Sequence, residues 1–324
     1  MLGPFYLYGL CVAGSGALAL LILALSRKKY GVGSRAVSWF ALLCVPLAVL
    51  FARIGYFLSS INWFREKGLT TFFQFIRGGY ILYGAMAGVL IAGWLAAKIS
   101  GEKPGRLLDA AAAPGALAIC LCRMAECLVP LGYGFDVEEW FNPYVYASSI
   151  PWNDPSPLFH FPIALYLDGA WRFFIAFFEA LTALMIFLIA LRAKKRQSGG
   201  LAVLAILIYA AFQIIWESMR EDAVLRWGFV KVNMLLSALV IAAILLIFCL
   251  RAPSGYKKPL RVILTWLGEL ILFGVIIAME FALEQKIAFL AWMRMDLCYL
   301  TMLLCCLGIV LALLPWWKKA YPKE

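Results

Sequence analysis

Charged residues are scarce in this sequence: Asp, Glu, Lys and Arg together make up 15% of its 324 residues. Soluble domains carry about 25%, so the shortage argues against a surface bathed in water on every side. Histidine is reduced to one, His160, with no second imidazole near it, so no metal site is expected and no cofactor is implied. The nine cysteines (Cys11, Cys44, Cys120, Cys122, Cys127, Cys249, Cys298, Cys305 and Cys306) all lie within apolar runs. They read as small lipophilic packing residues rather than as disulfides or metal ligands. The first apolar run has no basic segment ahead of it and basic residues behind it, so a cleavable signal peptide is not expected. There is no inverted repeat and no pair of broken apolar runs in matching halves, which weighs against a small transporter.

What is present is apolar. Hydrophobic residues make up 65% of the chain, and the mean hydropathy is +0.89. About 20 apolar residues cross a bilayer core, and runs of that kind occur at 2–25, 37–58, 80–97, 107–131, 173–191, 201–216, 232–250, 262–281 and 297–314. A short amphipathic helix is expected at the interface over 287–293. The net charge of +11 does not point to nucleic acid, because the bases sit in short loops between these runs. "RKKYGVGSR", "KISGEKPGR", "RAKKR", "RAPSGYKKPLR" and the tail "KKAYPKE" are basic, whereas "FDVEEW", "WNDPS" and "REDAVLR" mix in acids. The positive-inside rule then places the N-terminus outside and the C-terminus in the cytoplasm, which needs an odd number of spans. The largest loop, about 132–172, lies outside, and "HFPIALY" and "AWRFFIAFF" flank the turn Asp168-Gly169 as in a β-hairpin. The fold expected is an all-α polytopic membrane protein of about nine transmembrane helices with a small external head containing that hairpin.

Polar residues inside such runs are costly and are therefore pointers to function. Arg53 lies near the outer end of the second run. Arg123 and Glu126 are one helical turn apart in "CRMAECLVP", Glu179 is in the outer half of the fifth run, and Gln213, Glu217 and Arg220 follow helical spacing in "FQIIWESMR". By the expected topology all of them converge on the outward half of the bundle. The plain reading is paired glue between helices, since buried ions persist only when paired. The functional reading uses arginine's planar, permanently charged fork to hold phosphate at headgroup depth, with glutamates to position it or to carry a proton. In "RGGYILYGAMAG", the spacing of Gly84 and Gly88 suits close helix packing. Gly78 and Gly79, after Arg77, suit a flexible turn that admits a lipid headgroup.

Taken together these residues resemble the bacterial prolipoprotein diacylglyceryl transferases, over roughly Tyr8 to Leu250. The family's first-span "YGL" is Tyr8-Gly9-Leu10, and its "RxGY" is Arg53-Ile54-Gly55-Tyr56. Its glycine stretch, of the form GGMSFHGG, corresponds to Gly78-Gly79-Tyr80-Ile81-Leu82-Tyr83-Gly84-Ala85. Asp109, Pro114 and Arg123 follow in the family's order. Its "RHPSQLYEA" is reduced to Arg172 and Glu179-Ala180, and its "YxxFRxxxExxR" survives as Tyr209, Phe212, Glu217 and Arg220. The departures are as specific. Tyr83 stands where the family has a histidine proposed as the base, and "CRMAECLVPL" stands for "GRLGNFINGE", with Glu126 at its first asparagine and Leu131 at its last glutamate. Gln213 replaces the arginine ahead of the sixth-span glutamate. Residues 251–324 add two spans to the seven of the family-like domain, 1–250.

The resemblance implies a multi-pass protein of the bacterial plasma membrane. Its reaction would transfer the diacylglyceryl group of phosphatidylglycerol to the lipobox cysteine of a prolipoprotein signal peptide, with an altered base. Arg53, Arg123 and Arg220 would cradle the phosphate, with Gly78, Gly79, Gln213 and Glu217 among the substrate-binding residues. Tyr is a poor base at neutral pH, so Glu126 or Glu179 would accept the proton, while Tyr8 and Tyr83 would orient the lipid by donating hydrogen bonds. The alternative is a non-catalytic paralogue that binds phospholipid or lipoprotein, which the missing histidine and asparagine favour.

Overall fold

The computed structural model describes residues 3–75, 78–137, 140, 160–193, 197–222, 225–227, 230–284 and 293–323. Ten α-helices follow in chain order: α1 Pro4–Ser26, α2 Ser34–Ser59, α3 Ile61–Lys67, α4 Leu82–Ser100 and α5 Pro104–Ala125, then α6 Ile175–Arg192, α7 Gly200–Met219, α8 Val232–Arg251, α9 Pro259–Leu283 and α10 Met295–Ala320. All except the two-turn α3 are long and apolar enough to cross a membrane, giving nine such helices among the described residues. The interfacial helix expected over 287–293 lies outside the described residues save for Met293.

Local sequence sets the helix ends. Pro4, Pro104 and Pro259 occupy first-turn positions, where a missing N–H is no loss. Gly31 (φ 66°) and Gly101 (φ 72°) provide left-handed caps, and the Glu102 carboxylate accepts the Gly33 N–H at 2.8 Å ahead of α2. Asp109 of α5 crosses to the start of α7, where its oxygens accept the N–H groups of Gly199 at 2.7 Å and Ala202 at 2.9 Å. A carboxylate there satisfies open donors and meets the positive end of the helix dipole. Gln197 N–H bonds Pro322 O at 3.1 Å, so the loops of this end of the bundle and the C-terminal segment meet.

The opposite end carries the strands. β1 (Tyr133–Asp136), β2 (Ala164–Leu167) and β3 (Ala170–Phe174) form an antiparallel sheet in the order β1-β3-β2. The β2–β3 hairpin turns at Asp168 (φ 51°) and Gly169 (φ 88°), where two left-handed residues match the twist of a two-residue turn. The hairpin follows the sequence pattern; β1 on the far side of β3 does not, because its four residues alternate too briefly to be read. A two-stranded ribbon, β4 (Arg226–Trp227) with β5 (Val230–Lys231), lies between α7 and α8. The fifth expected crossing segment also shortens at its start: Phe173 and Phe174 belong to β3, and α6 begins only at Ile175.

α4 lies against α2 through glycine. A methyl added at Gly84 would run into the backbone of Phe51 and Ala52, and one at Gly88 into that of Leu47 and Ala48. The main core centres on α7: Leu207, Ile208 and Ile214 share one apolar cluster with Phe248 of α8 and Ile309, Leu313 and Trp317 of α10. The core therefore runs on across residue 250. The head rests on it as well, since Phe135 of β1 stacks on Tyr299 of α10 with ring centres 5.5 Å apart.

Candidate active site

Most of the charged residues singled out in the sequence meet at the strand-bearing end of the bundle. Arg123 closes α5, and its Nη1 lies 2.6 Å from Oε1 of Glu126, which opens a single 3-10 turn over Glu126–Leu128. Arg123 Nε lies 2.5 Å from Oε2 of Glu179 on α6, an ion contact without the alignment of a hydrogen bond. Gln213 of α7 donates Nε2 to Glu179 Oε1 at 3.0 Å and to Glu217 Oε2 at 3.3 Å. One neutral amide thus separates two fully buried carboxylates that would otherwise repel. Arg220, just past α7, approaches Glu179 Oε1 at 3.6 Å. Tyr8 of α1 is half-buried and faces Glu126, Arg123 and Arg220. Arg123, Glu126, Glu179, Gln213, Glu217, Arg220 and Tyr8 are therefore one cluster drawn from α1, α5, α6 and α7.

Tyr83 reaches the edge of this cluster by a relay. Ser237 Oγ donates to Asn233 O at 2.8 Å, so its proton is committed, and Tyr83 OH donates to Ser237 Oγ at 2.5 Å. Asn233 Nδ2 in turn donates to Glu217 Oε1 at 3.1 Å. Tyr83 is thus tied to a carboxylate through α8.

Arg53, Gly78 and Gly79 make a separate unit. Arg53 is buried at 2% exposure and donates to the carbonyls of Thr71 (2.7 Å), Phe72 (3.0 Å), Gly79 (3.2 Å), Gln74 (3.4 Å) and Gly78. Gly78 and Gly79 both take positive φ, 76° and 81°. A side chain on Gly79 would also collide with the Tyr56 ring and the Arg53 guanidinium. The glycine turn is held by Arg53 rather than loose, and Arg77 lies outside the described residues.

Four partners of the cluster were not legible in sequence. Asp222 receives Arg220 in a two-pronged pair, at 2.8 Å from Nε to Oδ1 and 2.5 Å from Nη2 to Oδ2, and accepts the Gly132 N–H at 2.9 Å. Burial alone would raise the Asp222 carboxyl, but the Arg220 guanidinium and the Gly132 N–H hold it below the usual carboxylate range. Burial likewise works against the charge on Arg220, yet Asp222 and Glu179 hold it above the ordinary guanidinium value. Gly132 (φ 69°) leaves room for Glu126, whose Oε2 a methyl group there would strike. Lys231 and Asn233 flank the start of α8. The available signal was a lysine and an asparagine bordering an apolar run on the acid-containing side, where the positive-inside rule supplies no reason for a lysine.

One oxygen stands out. Glu126 Oε1 is held by Arg123, whereas Oε2 is buried without a hydrogen-bond partner. Both oxygens of Glu179 face cations, and both of Glu217 accept amide donors. An apolar cavity of about 310 Å³ adjoins the cluster. It is walled by Leu20, Cys44, Met86, Ala116 and Ile119, with Tyr209 on its lining. Tyr209 also lies beside Arg123, Glu179 and Glu126, so one residue borders both the apolar space and the charges. Its size is that of a small-molecule site.

The sequence profile of prolipoprotein diacylglyceryl transferases matches residues 2–250. Among relatives, the phosphatidylglycerol–prolipoprotein diacylglyceryl transferase of Bacillus cereus (strain Q1) is 25% identical over 262 residues, covering 79% of this chain and 93% of that protein. The enzyme of the same name from Bacillus mycoides (strain KBAB4) is 24% identical over 258 residues, covering 78% and 91%. With a match across most of its length, this chain belongs to the prolipoprotein diacylglyceryl transferase family.

Proposed function

We propose that this protein transfers the diacylglyceryl group of phosphatidylglycerol to the lipobox cysteine of a prolipoprotein, with Glu126 in place of the family's histidine as base. The observation that carries the reading is the pairing, beside one apolar cavity, of two largely buried arginines with a carboxylate oxygen that accepts no hydrogen bond. The acyl chains lie in the cavity and the phosphate lies towards Arg123 and Arg220. The thiol proton passes to Glu126 Oε2, because the thiolate is the nucleophile. Sulfur then attacks the glyceryl carbon that bears the phosphate oxygen. The S–C bond forms as the C–O bond breaks, and glycerol phosphate leaves with that bond's electron pair. Its charge rises by one unit, which pre-placed guanidinium groups stabilise where charge develops.

Glu179 is a positioning group in this scheme, since its oxygens are occupied by Arg123, Gln213 and Arg220. Tyr8 donates to the bound lipid. Tyr83 orients Glu217 through Ser237 and Asn233, and Arg53 acts through the Gly78–Gly79 turn it holds. The enzyme works in the bacterial plasma membrane with the cluster towards the outer face, the N-terminus outside and the C-terminus in the cytoplasm, as the basic loops support.

The test is transfer of radiolabelled diacylglyceryl from phosphatidylglycerol to a lipobox peptide by the purified protein in detergent–lipid micelles. Labelled thioether product is expected, and Glu126→Gln is expected to lower its rate by about 10²- to 10⁴-fold, the worth of a general base. Full activity in that variant would remove Glu126 as the base. No product from folded, lipid-binding wild-type protein would favour the binding paralogue.

A further inference from the structure

Lys231 is buried, at 8% exposure, and its Nζ donates to three backbone carbonyls: Glu217 at 2.9 Å, Ser218 at 2.6 Å and Arg220 at 3.0 Å. They lie at the C-terminal end of α7, where Glu217 O also accepts the Arg220 N–H at 3.3 Å and a cation meets the negative end of the dipole. The backbone so fixed carries the side chains of Glu217 and Arg220, two members of the charged cluster. Glu280 of α9, Arg226 of β4, Glu217 of α7 and Glu221 of the loop after it act on the ammonium electrostatically, Glu280 most strongly. Glu280 also lies against Ser218, and one of its oxygens is buried without a hydrogen-bond partner. Tyr299 of α10 borders the same two residues. Both α9 and α10 lie beyond residue 250, outside the region matched to the family.

Resting on the transferase reading, we propose that Lys231 is a positioning residue for the reaction. The C-terminal extension acts on the active site through it, with Glu280 as counter-charge to the buried ammonium. An ammonium has three N–H donors for three carbonyls, and the neutral amine has two. Loss of the proton therefore frees one carbonyl and loosens the turn that aims Arg220. Burial pulls Lys231 below the ordinary lysine value and Glu280 opposes that pull. Removing Glu280 lets the proton leave at lower pH.

The experiment compares full-length wild type, Glu280→Gln and Lys231→Met in phosphatidylglycerol-containing micelles. The readouts are kcat and KM for transfer against pH, and hydrogen exchange of the backbone amides over 217–222 against pH, corrected for intrinsic base catalysis. Glu280→Gln should keep wild-type kcat near pH 7 and move the alkaline limb of kcat down by about one pH unit, the effect of losing a nearby opposite charge. Loss of protection over 217–222 should move by the same amount. Lys231→Met should lower kcat about 10- to 100-fold with less change in KM, as a misplaced catalytic group does. A role confined to stability would lower the melting temperature and leave the alkaline limb where it was. An unmoved limb with unmoved exchange overturns the inference. Should no variant transfer lipid, the exchange shift still decides whether Lys231 and Glu280 hold the turn, while the transferase reading alone fails.

Discussion

Arg123 and Glu179, 56 positions apart in sequence, meet at 2.5 Å and join α5 to α6 inside the bundle. The same guanidinium holds Glu126 at 2.6 Å, so one side chain sets the place of both carboxylates. A lysine carries the charge but presents a single point in place of a planar fork. Arg123→Lys is therefore expected to fold, to retain binding to phosphatidylglycerol vesicles, and to lose at least about 100-fold in transfer rate. Arg123→Ala is expected to unfold more readily by about 3–5 kcal/mol, because it strands two buried carboxylates. Thermal unfolding of the two variants beside the transfer assay checks both statements, and an Arg123→Lys enzyme with wild-type kcat would refute the first.

Asp222 ties the start of the head to the end of α7 through Gly132 and Arg220. Its folded value lies below the unfolded one, so its contribution to stability is complete above the ordinary carboxylate value near 4 and is lost as pH falls through the depressed one. Asp222→Asn removes that contribution at neutral pH and leaves a stability that declines less steeply in acid. Melting temperatures from pH 7 to pH 3 for the two proteins should converge towards the acid end. Parallel curves would show that the pair contributes nothing specific.

Gly132 places the backbone beside Glu126 in a conformation, φ 69°, that other residues adopt with strain. Gly132→Ala is expected to displace the Glu126 carboxylate and lower kcat by about 10-fold or more. Gly169→Ala, at another positive φ but with open space around it, should leave kcat unchanged. Equal loss in both variants would point to backbone strain alone.

Gly84→Val and Gly88→Val are expected to force α4 away from α2, since even a methyl at either position meets backbone rather than a movable side chain. Overpacking of this kind costs about 1–3 kcal/mol. Each valine should lower the melting temperature, whereas Gly14→Val, with nothing within 4 Å of its added carbon, should not.

The sequence by itself determined the nine long apolar helices among the described residues, the Asp168-Gly169 hairpin and most of the charged cluster. The reason is energetic: uncharged runs long enough for a bilayer admit few foldings, and a charge inside one must find a partner. Arg123, Glu126, Glu179, Gln213, Glu217 and Arg220 were legible on that ground alone. Arg53 was legible as unusual but not in its use, because a guanidinium bonded to five loop carbonyls leaves no pattern in the residues around it. Asp222, Gly132 and Lys231 lie at the edges of apolar runs, where charge and glycine are ordinary. Only the tertiary structure decided that Glu126 Oε2 is left without a donor, and that Glu280 of α9 acts on the charge of the lysine beneath Arg220. Such contacts join residues with no fixed spacing between them, and packing alone chooses the partners.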